Sequence, residues 1–165
     1  MSEISPRFEI RQSQHYAAIR LRTQRRNLAI EAPKLIAEVG KWLGKNRIAP
    51  GGPPLIRYLS IGKDEMVDVE IGIGTSEPAG GGKILAGTLP RGRYLTLIHT
   101  GPYDRLVNTT AALLDWAKAN DVTFDNHEGP TGTVWKARVE HYLTDPEEQP
   151  NPEKWETKLA FLTRG

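Results

Sequence analysis

The stretch "HYAAIRLRTQ" at residues 15–24 returns in recognisable form as "RYLTLIHTGP" at residues 93–102. In the first copy Ala17, Ile19 and Leu21 are each separated by one residue, and a period of two indicates a β-strand. In both places the strand pattern precedes a helix pattern and further strand patterns. The order strand, helix, strand, strand therefore occurs twice, about eighty residues apart.

Further stretches match between the two halves. The sequences "AIEAPKLIAEVGKWLGKN" at 29–46 and "DRLVNTTAALLDWAKAN" at 104–120 both repeat apolar residues at helical spacing. The strand patterns "VDVEIGI" at 67–73 and "WETKLAFL" at 155–162 also align. We read this agreement as an internal duplication.

The duplication predicts a single α+β domain over residues 1–165 made of two βαββ repeats, about 8–76 and 83–163. The glycine-rich "PAGGGK" joins them, because glycine tolerates the dihedral angles of a crossover. We expect pseudo-two-fold symmetry and an antiparallel curved sheet. Helices should cover one face of the sheet, with a ligand cleft on the other.

The composition argues against several classes of protein, namely nucleic-acid-binding, metal-binding, membrane and secreted proteins. The 165 residues contain no cysteine, and 22 basic against 20 acidic residues give a net charge of +2, which argues against a nucleic-acid partner. Four scattered histidines predict no metal site and no cofactor. No stretch has the length of a membrane span or the pattern of a secretory signal, so we expect a cytoplasmic protein without membrane contact.

Strand alternation predicts which residues share a face of the sheet. In "TVWKARVEHYL" at residues 133–143, Ala137 and Val139 alternate with polar residues. We assign the polar set to the face away from the helices, where it forms either a solvated surface or a groove. The ionisable, aromatic and thioether residues assigned there are Tyr16, Met66, Asp68, Glu70, Lys136, Arg138, Glu140, Tyr142, Glu156 and Lys158.

Three motifs resemble the GyrI-like small-molecule-binding domains, which also occur as effector-binding parts of AraC-type and multidrug-sensing regulators. They are "HTGPY" at 99–103 followed by a helix, "EHYLTDP" at 140–146, and "WET" at 155–157. The resemblance extends over the chain from about Phe8. Only about seven residues precede the first predicted strand, so we expect no DNA-binding helices ahead of it.

The resemblance implies a cleft between the repeats for amphipathic aromatic compounds. It places Glu140 in the cavity with Tyr142 beside it, and Tyr103, Trp135 and Trp155 are candidate walls. A buried carboxylate attracts cations strongly, and aromatic faces add cation–π contacts. Lys158 stands where the family pattern has a second acid. Lys158 and Arg138 are both positively charged, which argues against a site for cations alone. A neutral or partly anionic ligand therefore stays possible as an alternative.

The resemblance leaves three functions. The first is binding, or sequestration, of a drug or xenobiotic. The second is hydrolysis of electrophilic cyclopropane-containing natural products, with Glu140 as general base and Tyr142 as hydrogen-bond donor. The third is contact with a protein partner such as DNA gyrase.

Overall fold

The computed structural model describes residues 4–165 as one ten-stranded sheet with two helices. The helices are α1 (Leu28–Lys45) and α2 (Leu106–Ala119). The strands are β1 (Arg7–Arg11), β2 (Gln14–Gln24), β3 (Pro50–Ile61), β4 (Met66–Thr75), β5 (Leu85–Leu89), β6 (Gly92–Thr100), β7 (Asn126–Gly129), β8 (Gly132–Trp135), β9 (Arg138–Tyr142) and β10 (Glu156–Leu162). The predicted α+β class is confirmed.

The sheet is antiparallel and curls strongly. Its strand order is β1-β6-β10-β9-β3-β4-β2-β5, with the β7–β8 hairpin attached to β3. β1 lies at one end of this order, yet only residues 12–13 separate it from β2 near the other end. Likewise β5 pairs with β2 although it directly precedes β6. Such short links force the two ends of the sheet to approach each other.

Both helices pack on the same face, which we call the helix face. Ala32 of α1 packs with Val69 and Ile71, and Leu113 of α2 packs with Leu159. The opposite face, which we call the inner face, is enclosed by the curl. Its buried residues are Tyr16, Ala18, Leu55, Leu89, Tyr94, Ala137, Val139, Ala160 and Leu162.

The two helices end in the same way. Asn46 Nδ2 donates a hydrogen bond to the Trp42 carbonyl at 2.8 Å, and Asn120 Nδ2 donates to the Trp116 carbonyl at 2.8 Å. These contacts satisfy carbonyl groups that the last helical turn leaves free. Neither helix within residues 4–165 has the length and apolar character needed to cross a membrane.

Residues 133–143, predicted as one strand, are two. β8 ends at Trp135 and β9 begins at Arg138. Between them the Lys136 amide donates to the Asp125 carbonyl at 2.9 Å, and the Ala137 carbonyl accepts from the Leu162 amide at 2.9 Å. The two intervening residues reverse the alternation, so Arg138 comes to the same face as Trp135.

This reversal overturns the predicted face of Arg138, Glu140 and Tyr142. Glu140 pairs directly with Leu159, a helix-face residue, and Tyr142 packs against the cluster that contains α1. The three side chains therefore lie on the helix face, between the helices, rather than on the face away from them. Two stretches that are typical of loops by composition also contain strand, because β7 lies within "DNHEGPTG" at 125–132 and β3 begins within "APGGPP" at 49–54.

Candidate functional site

A row of directly paired residues crosses the helix face and contains one ionisable side chain, Glu140. The pairings join Leu97 to Leu159, Leu159 to Glu140, Glu140 to Ile56, Ile56 to Ile71, and Ile71 to Ile19. Paired residues of neighbouring antiparallel strands point to the same side. A carboxyl group thus stands alone in an apolar row.

An approximate twofold relation passes beside Glu140. On β3, Ile56 pairs with Ile71 and Tyr58 with Val69, while on β9, Glu140 pairs with Leu159 and Tyr142 with Thr157. β3 and β9 pair with each other at Ile56 and Glu140. Two tyrosines in equivalent places therefore flank one carboxylate, because Ile56 occupies the place equivalent to Glu140.

Both tyrosines bind the same carboxylate oxygen. The Tyr142 hydroxyl donates to Glu140 Oε1 at 2.6 Å, and the Tyr58 hydroxyl donates to it at 3.3 Å. Oε2 accepts no hydrogen bond from residues 4–165, and it is not fully buried. Glu140 is 6% exposed. Burial raises the pKa of Glu140, although its hydrogen bond from Tyr142 and the Arg138 charge oppose that rise.

Aromatic side chains cover Tyr142 on the solvent side. The ring of Tyr103 meets the ring of Tyr142 edge-on at 5.5 Å between centroids and lies 4.9 Å from the Trp155 ring. Tyr103 is 38% exposed, and Trp155 Nε1 donates to the Gln149 carbonyl at 2.6 Å. A stack of three rings thus leads from solvent to the carboxylate, and such offset geometries are favourable.

Arg138 lies two residues before Glu140 on the helix face. Its guanidinium carbon is 4.6 Å from the Phe161 ring centroid, 4.8 Å from Trp135 and 5.5 Å from Tyr58. Burial lowers the pKa of Arg138 to about 10, although the nearby Tyr58 and Glu140 oppose that fall. Beside it runs a groove with a cavity volume of about 350 Å³ between α2 and the end of β3. We call this cavity the arginine groove.

The remaining predicted site residues lie elsewhere. Tyr16 belongs to the inner core, and its hydroxyl hydrogen-bonds Glu70 and accepts from Arg57 Nη1 at 2.8 Å. Lys158 pairs with Glu9 at 2.7 Å. Both Glu70 and Lys158 alternate with helix-face residues along their strands.

Met66 lies at the start of β4, paired with Gln24, and alternates with helix-face Val67. The predicted set is therefore divided between the two faces. The structure brings together Tyr103, Trp135, Arg138, Glu140, Tyr142 and Trp155, and it separates Tyr16, Met66, Glu70 and Lys158 from them.

Two residues of the site were not predicted from the sequence, Tyr58 and Arg25. Tyr58 could have been found by aligning "IRY" at 56–58 with "EHY" at 140–142, because this comparison shows that the tyrosine recurs while the acid does not. Arg25 begins the short 3₁₀ turn before α1, in the place that Tyr103 takes before α2. No pattern around Arg25 distinguishes it from its basic neighbours.

Both central histidines are buried. His99 Nδ1 lies 2.7 Å from Thr109 Oγ1 and Nε2 lies 3.0 Å from the Pro102 carbonyl oxygen. On the inner face, His141 Nε2 lies 3.0 Å from Arg11 Nη2. Within the described part of the chain, no three His, Cys, Asp or Glu residues form a group that could hold a metal ion.

A family model described as "GyrI-like small molecule binding domain" matches residues 5–162. No curated protein matches the chain significantly.

Solved structures share the fold at low identity. The C-terminal domain of EcmrR is 20% identical with a TM-score of 0.76, and the match covers 98% of each chain. In a complex of EcmrR with DNA the TM-score is 0.78 at 20% identity, covering 96% of this chain and 57% of that chain. SAV2435 bound to tetraphenylphosphonium is 12% identical with a TM-score of 0.67, covering 98% and 95%. A hydrolase from Listeria innocua is 16% identical with a TM-score of 0.57, covering 99% and 93%.

Proposed function

The chain belongs to the GyrI-like small-molecule-binding domains, and from this premise we propose that it binds amphipathic aromatic compounds on the helix face at Glu140. The observation that carries the proposal is the lone carboxylate in an apolar row, with Oε1 held by two tyrosines and Oε2 without a donor among residues 4–165. A ligand placed there would meet an acceptor already fixed in position.

The surroundings favour an aromatic ligand. Tyr103 presents a partly exposed ring next to Trp155, so a planar compound can stack there while a polar or cationic group reaches Glu140. Electrostatic attraction to the carboxylate is stronger in such a low-dielectric site than in water. SAV2435, which shares the fold, was solved with a lipophilic aromatic cation, and this is consistent with the proposal.

Titration with planar hydrophobic cations and their neutral analogues, followed by tryptophan fluorescence, tests the proposal. We expect a saturable change in the wild-type protein. Tyr103→Ala should weaken the binding of every ligand. Glu140→Gln should lower the affinity for the cations about tenfold more than the affinity for the neutral analogues. Glu156→Gln, which changes an exposed carboxylate, is the matched control. No saturable change across the panel would refute binding.

Hydrolysis of an electrophilic cyclopropane is a second candidate, favoured by the raised pKa of the buried Glu140. In this reaction Glu140 takes a proton from water as the water oxygen attacks a ring carbon. The strained carbon–carbon bond breaks, and its electron pair moves to a conjugated carbonyl oxygen, which is then protonated. The Tyr142 hydroxyl is bonded to Glu140, so it would position the base. The hydrolase from Listeria innocua shares the fold only.

Chromatography of a cyclopropanoid compound incubated with protein separates the two candidates. Turnover by the wild type but not by Glu140→Gln would support hydrolysis, and equal turnover by both would remove Glu140 as the base. Turnover by neither would remove this reaction. The predicted contact with gyrase stays a prediction from the resemblance, which a DNA supercoiling assay with added protein would test.

A further inference from the structure

The arginine groove carries two positive charges, Arg25 and Arg138, and none of the described residues lining it is acidic. The groove lies beside the Glu140 site. Arg138 and Glu140 are two residues apart on β9, so their side chains point to the same face and their Cα atoms are about 7 Å apart. The charge of this groove is opposite to that of the carboxylate site.

Arg138 is buried without a full set of partners. The residue is 5% exposed, and its Nε atom is buried with no hydrogen-bond acceptor. None of the ion pairs among residues 4–165 includes it. Three aromatic rings offset part of the cost of removing the guanidinium from water. A buried charge without a paired anion is nevertheless unfavourable, so the site has an unmet preference for an acceptor.

Arg25 adds a second charge to the same groove. The turn that carries it is fixed by its backbone N–H, which donates to the Glu65 carbonyl at 2.8 Å. Burial is the main cause of the lowered pKa of Arg138, and the positive charge of Arg25 adds to it. None of the ion pairs among residues 4–165 includes Arg25 either. Two neighbouring like charges repel each other, and one anion placed between them would relieve both.

The rest of the groove suits an apolar body. Val107, Ala111 and Leu114 of α2 line one side, and Trp135 lines the other. Val107 is 55% exposed, so apolar surface is available for a ligand to cover. The volume of about 350 Å³ falls in the range of small-molecule sites.

We propose that the arginine groove recognises the acid group of an aromatic acid, with Arg138 and Arg25 binding the carboxylate and the α2 side chains and Trp135 holding the aromatic body. Arginine suits this role because its planar fork matches a carboxylate with two parallel hydrogen bonds. The inference rests on the proposed binding function and adds the ligand class: an aromatic compound bearing an acid, rather than one that is only cationic.

Calorimetric titration with naphthoate, naphthamide and trimethyl(naphthyl)ammonium tests the inference, since the three share one aromatic body and differ in charge. We expect the wild type to bind naphthoate at least about tenfold more tightly than naphthamide. Arg25→Gln and Arg138→Met should each remove most of this advantage, measured within each variant as the ratio of the naphthoate and naphthamide affinities. Arg26→Gln removes the same charge from the exposed neighbouring residue and should keep the advantage.

Naphthoate binding no more tightly than naphthamide would overturn the acid preference. So would an advantage that persists in Arg25→Gln, which decides the matter if Arg138→Met does not fold. If naphthamide and the ammonium compound bind in a Tyr103-dependent way without any preference for the acid, the binding function stands and only this inference fails. If none of the three binds, both fail for this class of compound.

Discussion

At the scale of single residues, β3 and β9 place their tyrosines equivalently around the site, but only one of the two strands supplies a carboxylate. Tyr58 and Tyr142 occupy equivalent places and converge on Glu140 Oε1, while the place equivalent to Glu140 holds Ile56. Two carboxylates directly opposite each other would repel in this apolar row. One carboxylate with two hydroxyl donors keeps the acceptor fixed at the cost of burying a single charge.

The first prediction concerns Tyr142. Its hydrogen bond stabilises the carboxylate form, so Tyr142→Phe should raise the pKa of Glu140 above its already raised value and lower the unfolding free energy by about 1–3 kcal/mol. Tyr58→Phe should act in the same direction but less, because its hydrogen bond is longer, at 3.3 Å. NMR titration of the side-chain carboxyl carbon of Glu140 and urea unfolding measure the two effects.

Tyr94→Phe is the control for that experiment. The Tyr94 hydroxyl donates to the Pro90 carbonyl at 2.6 Å, and the ring lies in the inner core. It should cost stability without moving the titration of Glu140. An unchanged Glu140 titration in Tyr142→Phe would contradict the assigned hydrogen bond.

At the scale of elements, the irregular step between β8 and β9 decides what the site contains. Because Lys136 and Ala137 interrupt the strand, Trp135 and Arg138 share the helix face, and Glu140 follows Arg138 there. Without that step, regular alternation would place Glu140 opposite to Trp135 and away from both helices.

Close packing of β2 on β4 gives the second prediction. A Cβ atom at Gly72 would lie 1.8 Å from the Ala17 carbonyl oxygen and 2.7 Å from Ala18 Cα. Backbone atoms within a sheet cannot yield easily, so Gly72→Ala should lower the unfolding free energy by about 3 kcal/mol or more in urea denaturation.

Gly44→Ala provides the matched control, since a Cβ atom there meets nothing within 4 Å and the residue is helical. We expect it to be neutral or to stabilise by up to about 1 kcal/mol. Equal effects of the two substitutions would show that the close approach at Gly72 is relieved without cost.

At the scale of the whole molecule, the two ends of the curled sheet approach each other and enclose the inner face. Arg11 of β1 reaches His141 of β9 although β1 is paired with β6 and β9 lies two strands further along the sheet, because the curl brings these strands together. Burial, followed by the charges of Arg11 and Lys158, lowers the pKa of His141 to about 3, whereas the charge of Glu9 opposes that fall. The histidine is therefore neutral in the folded protein at neutral pH.

The third prediction is acid destabilisation through His141. The unfolded chain takes up this proton near pH 6.5, but the folded protein does not until about pH 3. Stability linked to His141 is thus complete above about pH 6.5 and falls by about 1.4 kcal/mol per pH unit below it. The raised pKa of Glu140 acts in the opposite direction, because protonation of that buried carboxylate favours the folded state.

Urea denaturation at several pH values between 4 and 7, comparing wild type with His141→Asn, isolates the histidine contribution. The variant should be less stable at pH 7 but lose stability less steeply on acidification. His127→Asn, at an exposed position, should keep the slope of the wild type. Parallel slopes for the wild type and His141→Asn would contradict a neutral buried histidine.

The sequence by itself determined the class of fold, because alternation with periods of 2 and about 3.6 records which side of each element is buried. Motifs that resemble a family also predicted that Glu140, Tyr142, Tyr103 and Trp155 belong to one site. The four side chains do lie together on the helix face, and their role in binding stays a prediction. These are local patterns or short motifs, and each is readable within a few residues.

Only the tertiary structure decided which face those residues share and what accompanies them. The two-residue interruption before Arg138 depends on hydrogen bonds to Asp125 and Leu162, which are distant in sequence or on another strand, and it reverses the face without any local signal. Strand pairing and helix placement bring Tyr58 and Arg25 into the site. The same contacts keep four predicted residues outside it: Tyr16, Met66, Glu70 and Lys158. A strand's own pattern gives its alternation, but the phase of that alternation is fixed by its neighbours.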